Sequence, residues 1–292
     1  MTQPLSDKYH AWPFTSSGPS EQVSGTAAPR AYVLNNANQF ARLIDPWRQL
    51  MANAAEPAIA ASPNWLLPMY RHTSPEKRNA CTIAVLGSSP DGLAGIVPLQ
   101  FQPNRWLLPL PCLATWSNEF CFSGLPLLTG ADPVGSLQVA AETARQAFSA
   151  KAMLFEKVPA DGAFMAALHG LSERYGQPLA IIDSFERAAL KTGPDFETWF
   201  NDSFKRKKRK ELRRLRSRLS EAGELESVTL SPSDDLLVWI DEFLALENAG
   251  WKGRAGTALA CSDHMANFLK TALPMLRTDN ELMFWKLTLD GK

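Results

Sequence analysis

Apolar side chains return at intervals of three and four at Phe40, Leu43, Trp47 and Leu50, which predicts a helix over 39–54. A short strand over 31–34 precedes it. Ser62 and Pro63 mark a second, shorter helix over 64–70, with the serine as its cap and the proline at its first position. The period then shortens. Residues 81–86 and 93–101 are apolar, β-branched runs, and the connection 87–92 between them reads as a hairpin turn. A third strand over 107–114 is expected to be an edge strand or an irregular piece, because Pro109 and Pro111 cannot donate to a ladder. A helix from Pro133 to about residue 150, a buried strand over 153–158, a helix over 162–175 and a strand over 179–182 follow. This is an α/β chain with α+β character and a mixed, partly antiparallel sheet.

A second run of elements starts near residue 194. Phe196, Phe200, Phe204, Leu212, Leu215 and Leu219 trace one stripe, predicting a long helix over 195–222 that Gly223 ends in a left-handed cap. A strand over 225–230 leads to a helix capped by Ser233 or Asp234, with Leu236, Ile240, Phe243 and Leu246 inward. A glycine-rich loop, a helix over 264–276 and a strand over 281–289 complete the pattern. Asp290-Gly291 is a strong hairpin signal, yet only Lys292 follows, so the chain is expected to be cut at a turn. Residues 1–30, rich in serine and proline, are expected to form a disordered leader.

Charge changes this picture more than composition does. Thirty basic and thirty acidic residues cancel over 292 positions. Between Lys205 and Arg218, however, ten cations meet one anion, a local charge of +9 on a body of −9. That helix suits phosphates, whether of a nucleotide-like substrate, coenzyme A or nucleic acid, although no aromatics interleave to stack on bases. A solvated helix whose lysine stems cover apolar neighbours is the alternative. Four scattered cysteines and four scattered histidines (His10, His72, His169, His264) offer neither a disulfide framework nor a metal site. With no secretory h-region and no apolar run of membrane-spanning length, the chain is expected to be cytoplasmic.

The other candidate runs from Leu246 to Leu259. Gly250, Gly253 and Gly256 permit close backbone approach, and Trp251, Lys252 and Arg254 would project to an anionic or sugar-like ligand. Glu247, at a helix C-terminus, faces an unfavourable dipole expected to raise its pKa and suit it to accept a proton. The alternative is a helix stop with Trp251 plugging the core. No nucleophile elbow, phosphate-binding loop or dinucleotide fingerprint occurs. Trp116, Asn118, Glu119 and Phe120 would suit a cleft wall, whereas His72 and His264 read as surface or capping residues.

The run Trp251-Lys252-Gly253-Arg254-Ala255-Gly256-Thr257-Ala258-Leu259, after Leu246-Glu247 and the basic helix, resembles the GNAT-type acetyltransferase family associated with cellulose biosynthesis. Pro63-Asn64-Trp65, 93–99 and 124–128 fit the same family, and Asn248 departs from it. The resemblance implies two tandem GNAT-like units in a Fem-like arrangement, over 31–190 and 191–292, with the second incomplete. It implies acetyl-CoA or another acyl-CoA as co-substrate, a small-molecule acyl acceptor and no metal, with the coenzyme loop expected beyond residue 292. Direct transfer to a sugar-linked precursor of polysaccharide follows, Trp251, Lys252, Arg254 and Thr257 contacting substrate and Glu247 acting as base. On this view the 292-residue chain by itself would be inactive. A Fem-like transferase using aminoacyl-tRNA and a catalytically silent scaffold for exopolysaccharide synthesis are the competing readings.

Overall fold

The first sheet is built around two strands that are apolar on both faces. The computed structural model describes residues 30–35, 37–73, 80–87, 92–190 and 195–291. The expected leader (apart from Arg30), most of the 87–92 connection and residues 191–194 lie outside them. Strand β2 (Ala80–Leu86) pairs antiparallel with β3 (Leu93–Gln102), placing Ile83 opposite Val97 and Ala84 opposite Ile96. Burial on both faces explains their unbroken apolar runs, since strict alternation marks a sheet with one wet face. β1 (Ala31–Leu34) pairs with β2. On the other side lie β4 (Cys112–Thr115) and, parallel to it, β6 (Ala152–Leu154). The short β5 (Leu127–Leu128) pairs with β3 at Gly95 and Ile96.

Helices α1 (Ile44–Ala52), α2 (Pro63–His72), α3 (Pro133–Phe148) and α4 (Ala163–Tyr175) supply the rest of this core. Trp47 is fully buried, and its indole Nε1 donates to the Ala61 carbonyl at 2.9 Å, so its polar end is not orphaned. Pro63 occupies the first turn of α2 as expected. Ser62 does not cap it, and its buried hydroxyl has no hydrogen-bond partner among the described residues. Gly124 is required where it stands, because a Cβ there would come within 2.6 Å of the Thr115 side chain.

Several expected elements differ. The strand foreseen over 107–114 begins only at Cys112, after both prolines, and lies between β3 and β6 rather than at an edge. Before it, Arg105 and Leu108 exchange backbone hydrogen bonds of 3.0 and 2.9 Å around Trp106 and Leu107, both at positive φ. That is a two-residue hairpin tip in the conformation that normally demands Asn-Gly. It costs about 1 kcal/mol or more at each non-glycine residue. β6 stops at Leu154, where the chain turns away. The Glu156 N–H donates to Thr115 Oγ1 at 2.9 Å and Lys157 takes a positive φ. The strand expected over 179–182 does not form: the segment joins no ladder among the described residues, and Ile181 and Ile182 are exposed.

The long basic helix is two helices. α5 (Phe196–Ser203), capped by the Asp195 carboxylate on the Thr198 N–H, ends at Phe204, and α6 (Arg206–Ala222) starts afresh. The break falls at Phe204 and Lys205, both extended, and five of the six consecutive cations from Lys205 to Lys210 lie in the opening turns of α6. Arg209 folds back onto the carbonyls of Asn201 and Phe204. The stripe is not one buried face either, for Phe200 alone is buried while Leu215 and Leu219 stay exposed. Gly223 is extended rather than left-handed.

β7 (Leu225–Thr229) pairs antiparallel with β8 (Trp285–Leu289) in a separate two-stranded sheet, and Asp290 and Gly291 take the positive φ values of a tight turn. α7 (Leu236–Ala249) is capped by Asp235 rather than by its neighbours. α9 (Asp263–Thr278) bridges two cores. Its Phe268 and Ala272 are buried with the first sheet's core, and its Ala266 and Leu273 pack against Leu236, Ile240 and Leu244 of α7.

Candidate functional site

The segment after α7 is a tied structure rather than a loose loop. Trp251–Arg254 forms one helical turn, α8, instead of an open glycine loop. It is held from below by Glu247, whose side chain is only 9% exposed. One carboxylate oxygen accepts from Lys252 Nζ at 2.6 Å and the other from the Leu259 N–H at 2.8 Å. The Lys252 carbonyl in turn accepts from the Thr257 N–H at 2.9 Å. Gly256 supplies the positive φ that turns the chain, and Ala258 is buried as the far anchor.

This geometry reverses the electrostatic expectation for Glu247. Burial alone would push its carboxyl up, but the Lys252 ammonium and the Leu259 N–H outweigh burial and hold it below the ordinary carboxylate value. With both oxygens engaged, it is built as an anion that fixes Lys252. The structure therefore brings together Glu247, Lys252 and the backbone of Thr257. It leaves Trp251, 68% exposed, and Arg254 pointing outward. Trp251 does not plug the core, and Arg254 has no ion-pair partner among the described residues.

A second cluster lies where α9 meets the first sheet's helices and loops. Phe268 stacks on Phe120 with centroids 3.8 Å apart and meets the edge of Trp65 at 4.9 Å, while Trp65 Nε1 donates to the Phe120 carbonyl. His264 links Ser262, 2.6 Å from its Nδ1, to Glu119, 3.0 Å from its Nε2. Nearby, Asn64 is buried and its Nδ2 donates to both Asp279 and Glu281 at 2.8 and 2.9 Å. Arg48 Nε donates to the same Asp279 oxygen, and these donors hold that carboxyl below its ordinary value. His264 and Asn64 were not legible as seam residues, because their carboxylate partners lie more than 100 positions away. The run of Trp116, Asn118, Glu119 and Phe120 was the one visible signal.

The cations of α6 stand apart from both clusters in their chemistry. All but Arg209 are exposed. Among the described residues their carboxylate partners are Glu211, 3.2 Å from Lys208, and Glu197, 3.9 Å from Arg213. No group of side chains that could hold a metal ion occurs among the described residues, nor is any helix there long and apolar enough to cross a membrane.

Residues 206–292, which contain α6, the latched turn and α9, match the family model described as an acetyltransferase (GNAT) domain. No curated protein matches the chain. Among solved structures, a ribosomal-protein-alanine N-acetyltransferase from Brucella melitensis biovar Abortus 2308 is similar at 12% identity. That match covers 57% of this chain and 100% of the other, with a TM-score of 0.31. An aminoglycoside acetyltransferase from an uncultured soil metagenomic sample, solved with sisomicin, is also similar at 12% identity. There the coverage is 56% of this chain and 97% of the other, again with a TM-score of 0.31.

Proposed function

We propose that this chain belongs to an acyl-CoA-dependent N-acyltransferase of the GNAT type, built from two GNAT-like units over 31–190 and 191–292. We assign its acceptor to a sugar-linked precursor of polysaccharide. The observation that carries the reading is the latched turn inside the matched region. A buried carboxylate is committed to holding Lys252, while an indole and a guanidinium on the same turn are left free. That arrangement suits a ligand with an apolar ring face and an anionic group. In the reaction, the acceptor nitrogen attacks the thioester carbonyl carbon, the C–S bond breaks and the thiolate leaves with the proton lost by the amine. Trp251, Arg254 and Thr257 position the acceptor. Glu247 acts through Lys252 as a positioning residue, because both of its oxygens are engaged. The exposed cations of α6 match the charge of the coenzyme phosphates.

The test is acetyl transfer from acetyl-CoA to an amino-sugar panel by the longest chain the open reading frame encodes. Trp251→Ala with Arg254→Ala is expected to lower transfer by about tenfold or more without a change in melting temperature. Equal transfer by variant and parent would remove the turn from the site. One further reading has a specific observation behind it. The unpaired charge on α6 would equally suit a tRNA-borne donor, and only that reading requires tRNA affinity to fall steeply with salt.

A further inference from the structure

The hairpin tip at Trp106 and Leu107 is exposed and strained at once. Trp106 is 52% exposed, Leu107 fully exposed and Leu108 58% exposed, so three consecutive large apolar side chains stand in water. Their backbone is closed by the two Arg105–Leu108 hydrogen bonds, with φ of 51° and 61° at the central residues. Neither Trp nor Leu is chosen by that conformation, and among the described residues the side chains of the tip stay largely exposed. Strain kept at an exposed apolar apex points to a use for the side chains themselves.

The surroundings indicate the occupant. From Trp106 to Pro111 the chain carries no charge. Arg105 lies below the apex, tied to Glu156 at 2.9 Å and set against the Trp106 ring at 5.5 Å. Lys151, whose N–H donates to the Pro111 carbonyl at 2.7 Å, adds an exposed cation at the base. A convex apolar apex with the exposed Lys151 at its base fits a lipid surface, where leucines enter the acyl boundary, an indole rests at headgroup level and a cation meets anionic phosphates. We propose that the 105–108 hairpin tip is a membrane-docking finger that seats the protein on an anionic phospholipid bilayer. The finger would place the protein on the bilayer surface without spanning it. Nothing in this inference depends on acyl transfer.

The experiment is co-sedimentation of the chain with vesicles of equal parts phosphatidylcholine and phosphatidylglycerol, and with phosphatidylcholine alone. The variant Trp106→Asn with Leu107→Gly places the residues this turn prefers at its two central positions, so it keeps the hairpin and is expected to melt no lower than the parent. Leu108→Ser provides a second removal that leaves the turn untouched. The parent is expected to bind the anionic vesicles, and each variant to lose about tenfold or more of its partitioning. Unchanged binding by both variants would assign any affinity to the cations of α6 and overturn the finger. So would failure of the parent to bind, or lipid-free self-association of the parent that the variants abolish.

Discussion

Gly253 lies so close to the carbonyl oxygen of Asn248, five residues earlier, that a Cβ on it would overlap that oxygen. The latched turn therefore packs onto the end of α7 by direct backbone contact. Gly253→Ala must push the turn off the helix, and overpacking of this kind costs roughly 1–3 kcal/mol. Denaturant unfolding is expected to show that loss. Hydrogen exchange should localise it to residues 251–259, with the first sheet unaffected.

Glu247 makes a prediction whose size depends on pH. Its folded pKa lies below the ordinary value of 4.5, so the folded state binds its proton less readily than the unfolded chain. The stability it contributes is complete above about pH 4.5 and is lost as pH falls through the lowered folded value. Glu247→Gln is expected to cost roughly 1–3 kcal/mol near neutrality, since the Lys252 and Leu259 donors lose a charged acceptor. Toward acid the difference from the parent should shrink. Melting temperatures of the two proteins from pH 3 to pH 7 check this, and a constant gap would contradict it.

The sequence-to-structure relationship at these sites follows from what local pattern can encode. β2 and β3 were legible because residues buried on both faces leave an unbroken apolar run, and Pro63 marked the first turn of α2. Pro109 and Pro111 correctly weakened the third strand, yet nothing local disclosed that Trp106 and Leu107 take a turn meant for Asn-Gly. The break at Phe204 was masked by apolar spacing that ran straight through it, and the extended backbone of Phe204 and Lys205 left no trace in that spacing. The glycines drew attention to 250–257, and the Glu247 dipole argument failed because the two donors facing it are set by the return of the chain at Leu259. Asn64 could not be read at all, its carboxylate partners being more than 200 residues away.

Phe268 is the side chain on which the seam turns. It is buried against Phe120 and Trp65 although it belongs to α9, which also packs on α7. Phe268→Ala is expected to cost roughly 3–5 kcal/mol, the usual loss for a buried aromatic. The loss should fall on the coupling between the two cores, so a single unfolding transition in the parent should split into two in the variant. Calorimetry distinguishes this from a uniform fall in stability with one transition retained.

Trp251 separates a ligand contact from a packing residue. A tryptophan that filled the core would cost several kcal/mol on truncation, but this ring is two thirds exposed. Trp251→Ala is therefore expected to change stability by no more than about 0.5 kcal/mol, as for surface substitutions with no special role. Acceptor affinity should meanwhile fall, because the ring face is lost while Lys252 and Glu247 keep their geometry. The decisive measurement is a paired one, with denaturant unfolding and acceptor titration on the same preparation. A large stability loss would show that the ring packs in solution and would take it out of the site. Unchanged stability with unchanged affinity would leave Arg254 as the sole free contact on the turn. Arg254→Ala would then have to carry the whole loss by itself.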